Sequence, residues 1–317
     1  MNISVIACPN GMGHFYRLLD IAKALSKKNK IHFFCSKKQK SKLDHKLNNI
    51  NFIPIVENIN IEEKKIDFLI DFYNRDLTKI KKINNSKIII SDNLINKIYL
   101  QKKFLLISNF FWGKNFQIKS KKYEIYRNLE KKFLRSNKIL QNRYFGHKYD
   151  DIMKKDFINF TGKKFKNLDK TKKNKIFLYL RKKIKILSII NALQSKYEIY
   201  SNIPSKKYNI KPHNLDKGLR KFKFLLARPG FGTISDAIRF NIPILSYVEK
   251  NETKEILINN KLIKKYKIGI LLNKSKKSIN QVLDISHNMN KYKMYLKNLT
   301  KFKFNGEQDI INYVKKI

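Results

Sequence analysis

Apolar residues follow two rhythms along this chain. Ile3–Ala7 is an apolar run interrupted only by Ser4, the pattern of a strand buried on both faces. From Tyr16 to Lys28 the spacing changes to three and four, and Leu18, Leu19, Ile21, Ala22 and Leu25 fall on one helical stripe. The exchange then repeats: strand Ile31–Cys35, a lysine-rich helix to Leu47, strand Phe52–Val56, and a helix over Ile61–Ile83. Strand Lys87–Ser91, a short helix, strand Phe104–Ser108, helix Tyr123–Leu134 and a short strand Lys138–Gln141 complete the first series. Between Tyr144 and Lys175 the periodicity lapses among lysines and two glycines, which reads as a linker.

A second series follows: strand Ile176–Leu180, helix Ile184–Leu193, and strands Tyr197–Tyr200 and Phe222–Ala227. Helix Thr233–Phe240, strand Ile244–Val248, helix Glu252–Ile263, strand Ile268–Leu272 and C-terminal helices continue it. Asn305 with Gln308 predicts a capping box on the last helix. Strands alternating with helices predict parallel sheets covered on both faces. The expected organisation is therefore an α/β chain of two Rossmann-like domains, 1–145 and 175–317, joined by a linker at 146–174, with the last helix packing back on the first domain. Ligands of such sheets bind beyond the carboxyl ends of the strands, so the site is expected in the crevice between the halves.

Composition narrows the class. A chain of 317 residues suits two domains, and 42% hydrophobic residues exclude a disordered chain. No apolar run reaches the roughly 18 residues that cross a bilayer, and the apolar start has no basic leader, which predicts a cytoplasmic protein without a signal peptide. Cys8 and Cys35 lie in apolar strands and read as buried free thiols in a reducing compartment. The formal charge is +46, almost all from lysine. A coding bias toward Lys, Asn and Ile explains it most simply. A field of that sign also attracts anions, and an anionic membrane surface, with the chain peripheral on the inner face of the cell membrane, comes second. Specific nucleic-acid binding is not expected, because no RNP, zinc-finger or helix-turn-helix signature is present.

Two glycine turns, each between a strand and a helix, carry the candidate chemistry. The first runs from Pro9 to Arg17 and holds Gly11, Gly13 and His14. Glycines let a ligand approach the backbone, the helix start offers N–H groups, and a histidine there can accept a proton. A plain strand-to-helix turn with a polar surface histidine is the competing reading. The second turn, from Ala227 to Ala237, holds Arg228, Gly230, Gly232, Thr233 and Asp236. Amides from Gly232 to Ile234 would cradle a diphosphate, Thr233 would cap the helix or donate to phosphate, and Asp236 would accept from ribose hydroxyls. An ordinary capped helix with an acid in its first turn fits the same residues.

The segments GMGHFYR (11–17), IIISDN (88–93) with LISNFFW (106–112), ARPGFGTISDA (227–237) and NETKEILINNKL (251–262) together resemble glycosyltransferase family 28. That family includes the N-acetylglucosaminyltransferase of peptidoglycan synthesis. They are also similar to the amino-terminal half of L-arabinokinase-type proteins. The resemblance implies a GT-B fold, two Rossmann-like domains facing a cleft. It implies that His14 is the general base, with Gly11 and Gly13 shaping the acceptor-side loop, and that Gly230, Gly232, Thr233 and Asp236 bind the donor together with Arg228, Glu255 and Asn260. By analogy with His–Asp pairs in GT-B enzymes, Asp92 would orient His14; a helix cap at Asp92 is the other reading. Trp112 reads as a packing residue. Relatives carry a glycine pair after the first strand of the second domain, where this chain has Phe177 to Lys183; its loss would either block close approach of the donor or leave Arg181 and Lys182 to replace backbone contacts with charge. Asp236 stands where relatives have glutamate.

The implied activity is inverting, metal-independent transfer of a hexose-type sugar from a nucleoside-diphosphate donor such as a UDP-sugar. The acceptor would be a hydroxyl of a saccharide or lipid-linked molecule, in keeping with a role in the cell envelope, with no cofactor besides the donor. No Asp-x-Asp motif occurs in the sequence. Two alternatives stay open: hydrolysis of a nucleotide-sugar on the same fold, and a non-catalytic basic binding protein.

Overall fold

The computed structural model describes residues 1–43, 47–56, 62–115, 120–148, 154–165, 174–179, 186–214, 218–249, 252–272, 276–285 and 289–317. The chain forms two compact units, Met1–Gly162 with Phe304–Ile317, and Lys163–Lys303.

The first unit is built on seven parallel strands. These are β1 (Asn2–Ile6), β2 (Lys30–Ser36), β3 (Ile50–Val56), β4 (Ile88–Asp92), β5 (Phe104–Ile107), β6 (Ile139–Asn142) and β7 (Lys155–Ile158). Their spatial order is β3-β2-β1-β4-β5-β6-β7. The chain therefore winds outward from β1 in one direction and then, from β4, in the other. Helices α1 (Met12–Ser26), α2 (Lys37–Lys40), α3 (Glu62–Asn74), α4 (Lys81–Asn84), α5 (Trp112–Asn115) and α6 (Lys121–Ser136) fall between the strands. The predicted apolar stripe of α1 is its buried face, with Phe15 added. It packs with Val5, Ile31 and Phe33 into a core on one side of the sheet.

The second unit has six parallel strands, β8 (Lys175–Tyr179), β9 (Glu198–Ser201), β10 (Ile210–Pro212), β11 (Phe224–Ala227), β12 (Ile244–Tyr247) and β13 (Gly269–Leu272), in the order β10-β9-β8-β11-β12-β13. Helices α7 (Leu187–Gln194), α8 (Phe231–Arg239), α9 (Lys254–Tyr266), α10 (Lys276–Ile285) and α11 (Met289–Thr300) accompany them. Lys164 donates to the carbonyls of Leu299, Thr300 and Phe302, each at 3.0 Å, and so satisfies the end of α11 with a cation. Each sheet thus has the doubly wound parallel order of a Rossmann-like domain.

The final helix, α12 (Gly306–Lys316), belongs to the first unit, where Ile310 and Val314 enter the α1 core. Its start rests so closely on residues 159 and 160 that a Cβ at position 306 would lie 2.4 Å from the Asn159 carbonyl oxygen. The expected capping box is absent: Asn305 is the N-cap but makes no side-chain cap bond, and Gln308 donates instead to Asn312 Oδ1 at 2.8 Å. In its place Asp309 accepts from the Asn159 backbone at 2.9 Å, and Glu307 accepts from the Gly162 amide.

The expected linker at 146–174 also needs correction. It supplies β7, and the chain stays with the first unit as far as Gly162. The strand is a short edge with exposed Phe157, so it lacks the apolar run by which buried strands are read. Among the described residues, no helix is long and apolar enough to cross a membrane.

Candidate functional site

The first candidate constellation sits where the winding of the first sheet reverses, between β1 and its parallel neighbour β4. Beyond β1 the chain turns at Gly11, whose φ of 90° only glycine adopts at little cost. Buried Gln39 braces this turn by donating to the carbonyls of Cys8 at 2.9 Å and Gly11 at 3.2 Å. Gly13 is exposed in the first turn of α1, and His14 follows it.

Asp92 is the last residue of β4 and is 0% exposed. Asn93, with φ 56°, turns the chain away immediately after it. Asp92 caps no helix, because the helical turn at 97–100 is capped by Asn96. The carboxylate faces α1 instead. His14 Nδ1 lies 3.1 Å from Asp92 Oδ1, Arg17 Nε donates to Oδ2 at 2.9 Å, and a second guanidinium nitrogen of Arg17 donates to Oδ1. Burial opposes the charge on Asp92, but the Arg17 guanidinium and His14 outweigh it and hold the carboxyl below its ordinary range. An ionised carboxylate only accepts hydrogen bonds, so the proton between the pair belongs on His14 Nδ1. Nε2 of the neutral ring then keeps a lone pair. Phe110 fixes the ring from the side, edge to face at 5.8 Å between centroids, and Trp112 is buried behind it, 4.8 Å from Phe110. Arg17 is the residue that the sequence reading passed over as a site member. Its signal was the spacing of three from His14, which puts both on one face of α1.

The second constellation occupies the equivalent place in the second unit, where β11 runs beside β8. From Ala227 the chain passes through Arg228, Pro229 and Gly230 into α8. Gly230 is the N-cap and contributes no side-chain bond, so Thr233 is not the cap but the third helical residue. The first intrahelical bond runs from the Ile234 amide to Gly230 O at 3.0 Å. The expected phosphate cradle of Gly232 to Ile234 is accordingly shortened, with the amides of Gly232 and Thr233 ahead of that bond. A Cβ at Gly230 would meet nothing within 4 Å, so the backbone is open to close approach there. Asp236 is half-buried in the second turn.

Arg228 makes a forked ion pair with Glu252: Nε lies 2.8 Å from both carboxylate oxygens, and a terminal nitrogen donates at 2.6 Å. The guanidinium that the resemblance assigned to the donor is thus already held by a carboxylate. Asn260 Oδ1 accepts from Ser246 Oγ at 2.6 Å, which ties α9 to β12. Its neighbour Asn259, 1% exposed, holds the glycine turn itself by donating to Pro229 O at 3.0 Å. Sequence reasoning assigned Asn259 no such role; the inward stripe Ile256, Asn259, Ile263 was the available clue. Glu255 is half-buried in the first turn of α9. Arg181, with Lys182, lies outside the described residues. Among those described, no cluster of three or more His, Cys, Asp or Glu side chains is placed to hold a metal ion.

No protein-family model matches the chain, and no curated protein matches it in sequence. Solved structures match it in fold along its length. One is Phytolacca americana UGT2 complexed with UDP-2-fluoro-glucose and pterostilbene, with TM-score 0.69, 11% identity, and 99% of this chain and 98% of that chain covered. The spinosyn rhamnosyltransferase SpnG complexed with thymidine diphosphate matches with TM-score 0.67, 11% identity, and 99% and 100% covered. The glycosyltransferase VinC in complex with dTDP matches with TM-score 0.65, 11% identity, and 99% of both chains covered. With two doubly wound parallel sheets and these neighbours, the chain has the α/β fold of GT-B glycosyltransferases.

Proposed function

We propose that the protein is a glycosyltransferase that moves a hexose-type sugar from a nucleoside-diphosphate donor to an acceptor hydroxyl, with inversion and without a resident metal. The observation that carries this reading is the His14–Asp92 pair at the winding reversal of the first sheet, with Nδ1 and Oδ1 3.1 Å apart. Asp92 holds the ring so that Nε2 accepts the proton of the acceptor hydroxyl. As that oxygen forms its bond to the anomeric carbon, the bond from that carbon to the diphosphate oxygen breaks, and the nucleoside diphosphate leaves. In the second unit, the Gly232 and Thr233 amides at the start of α8 would bind the diphosphate and its developing charge, with Asp236 on the ribose. Glu255 and Asn260 would face the donor sugar. The neighbours bound to UDP-2-fluoro-glucose, thymidine diphosphate and dTDP support a nucleotide donor of this kind.

The acceptor is proposed to be a saccharide or lipid-linked hydroxyl, reached from an anionic membrane surface to which the +46 charge draws the chain. Flotation with anionic and neutral liposomes tests that part, and equal binding to both removes it.

Thermal shift across nucleoside diphosphates identifies the donor class, because a ligand of the native state stabilises it by RT ln(1 + [L]/Kd). Transfer assays with the responding nucleotide-sugar then compare wild type with His14→Gln. General-base loss lowers kcat by about 10²- to 10⁴-fold. Undiminished kcat in His14→Gln overturns the assignment. Sugar release that is fast without any acceptor replaces transfer by hydrolysis.

A further inference from the structure

Arg17 is a buried cation at the ligand-binding end of a sheet, with both arms on one carboxylate. As a source of stability this is a poor use of burial. Desolvating two charges costs about as much as their attraction returns, and an apolar pair of similar volume usually does as well. The fork does something an apolar pair cannot: it fixes the plane of the Asp92 carboxylate. With Nε on Oδ2 and a terminal nitrogen on Oδ1, rotation about the last side-chain bond of Asp92 is arrested. Oδ1 is thereby left pointing at His14 Nδ1. Arg17 stands three residues after His14, so the helix carrying the base also carries the clamp on its partner.

The charge has a second effect. A lone buried carboxylate favours imidazolium beside it, a form with no lone pair for a proton. The guanidinium supplies the opposing charge at the same oxygen.

We infer that Arg17 is a positioning residue that locks Asp92 and thereby selects the Nδ1-protonated, neutral form of His14. The link to catalysis rests on the glycosyltransferase reading; the link to the His14 tautomer does not. Two variants and two readouts test it. Arg17→Gln removes charge and fork, whereas Arg17→Lys keeps a charge without the planar fork. Nitrogen-15 NMR of the imidazole reads the tautomer, and steady-state kinetics read kcat and the donor KM.

In Arg17→Gln the single Nδ1–H form gives way to a mixture, and kcat falls about 10- to 100-fold, the usual cost of losing an outer-shell partner. The donor KM stays within about twofold, because Arg17 lies in the other unit from the proposed donor turn. Arg17→Lys falls between Arg17→Gln and wild type on both readouts. If Arg17→Gln does not fold, Arg17→Lys carries both measurements against wild type. Wild-type tautomer populations in Arg17→Gln, or in Arg17→Lys if that variant alone folds, overturn the inference whatever the activity. A tautomer that responds as stated in a chain with no transferase activity overturns the proposed function and leaves the role of Arg17 standing.

Discussion

Replacing Asp92 by alanine removes the anion from the most enclosed ion pair among the described residues. Asp92 is fully buried and the Arg17 side chain is 7% exposed, so the guanidinium left behind has little access to water. Exposure decides the size of the effect. A surface pair contributes about 0–1 kcal/mol, whereas removing one partner of a buried pair costs about 3–5 kcal/mol. Asp92→Ala is expected at the upper figure, because the carboxylate also accepts from His14. In a unit of this size, each kcal/mol moves Tm by about 2–4 °C, so the midpoint falls by roughly 6–20 °C. The single tryptophan of the chain, Trp112, is buried in the first unit, and its fluorescence during urea unfolding reports that unit. Paired replacement, Arg17→Met with Asp92→Leu, restores most of the loss, since no uncompensated charge remains.

The pH dependence has a definite sign. The folded carboxyl of Asp92 is held below its unfolded value near 3.9, so its contribution is complete above about pH 4 and disappears as pH falls through the lower folded value. A loss under about 1 kcal/mol in Asp92→Ala, or a paired variant no better than the single one, refutes the account of a desolvated, mutually dependent pair.

Gly306→Ala gains up to about 1 kcal/mol of helix propensity but places a Cβ 2.4 Å from the Asn159 carbonyl oxygen. Overpacking against backbone costs about 1–3 kcal/mol, so a net loss of about 1–2 kcal/mol is expected in Trp112-monitored urea unfolding, and a gain refutes the close docking of α12. Glu252→Ala deprives Arg228 of its carboxylate and destabilises the second unit by about 1.5–3 kcal/mol, read by hydrogen exchange in β11 and β12. If Arg228 serves the donor as the resemblance implies, UDP stabilises Glu252→Ala more than wild type; equal stabilisation removes Arg228 from the donor site. Burial pushes the Cys35 thiol up to about 11, and its side chain is 0% exposed. Cys35 therefore stays unmodified by a disulfide reagent at pH 8 until urea unfolds the first unit, and rapid labelling of the native protein contradicts that burial.

Whatever depends on neighbours a few residues apart could be read along the chain. Ile3–Ala7 is apolar but for Ser4, and Ile88–Ile90 are three isoleucines in a row, so β1 and β4 were legible. Leu18 to Leu25 set the buried stripe of α1, and Gly11 and Gly230 marked both turns, because a glycine turn is a local property of the backbone. β7 was not legible, since an edge strand buries too little to show a run. Tertiary structure alone decided the partners. His14 and Asp92 are 78 positions apart, and their meeting follows from β1 lying beside β4. The same contact turned Arg17 from a motif letter into a clamp. The resemblance assigned Arg228 to the donor, and no acidic residue within a few positions of it suggested another partner. Folding brings Glu252 there from 24 positions away. Charges interact through space, and only the sheet order says which of them share it.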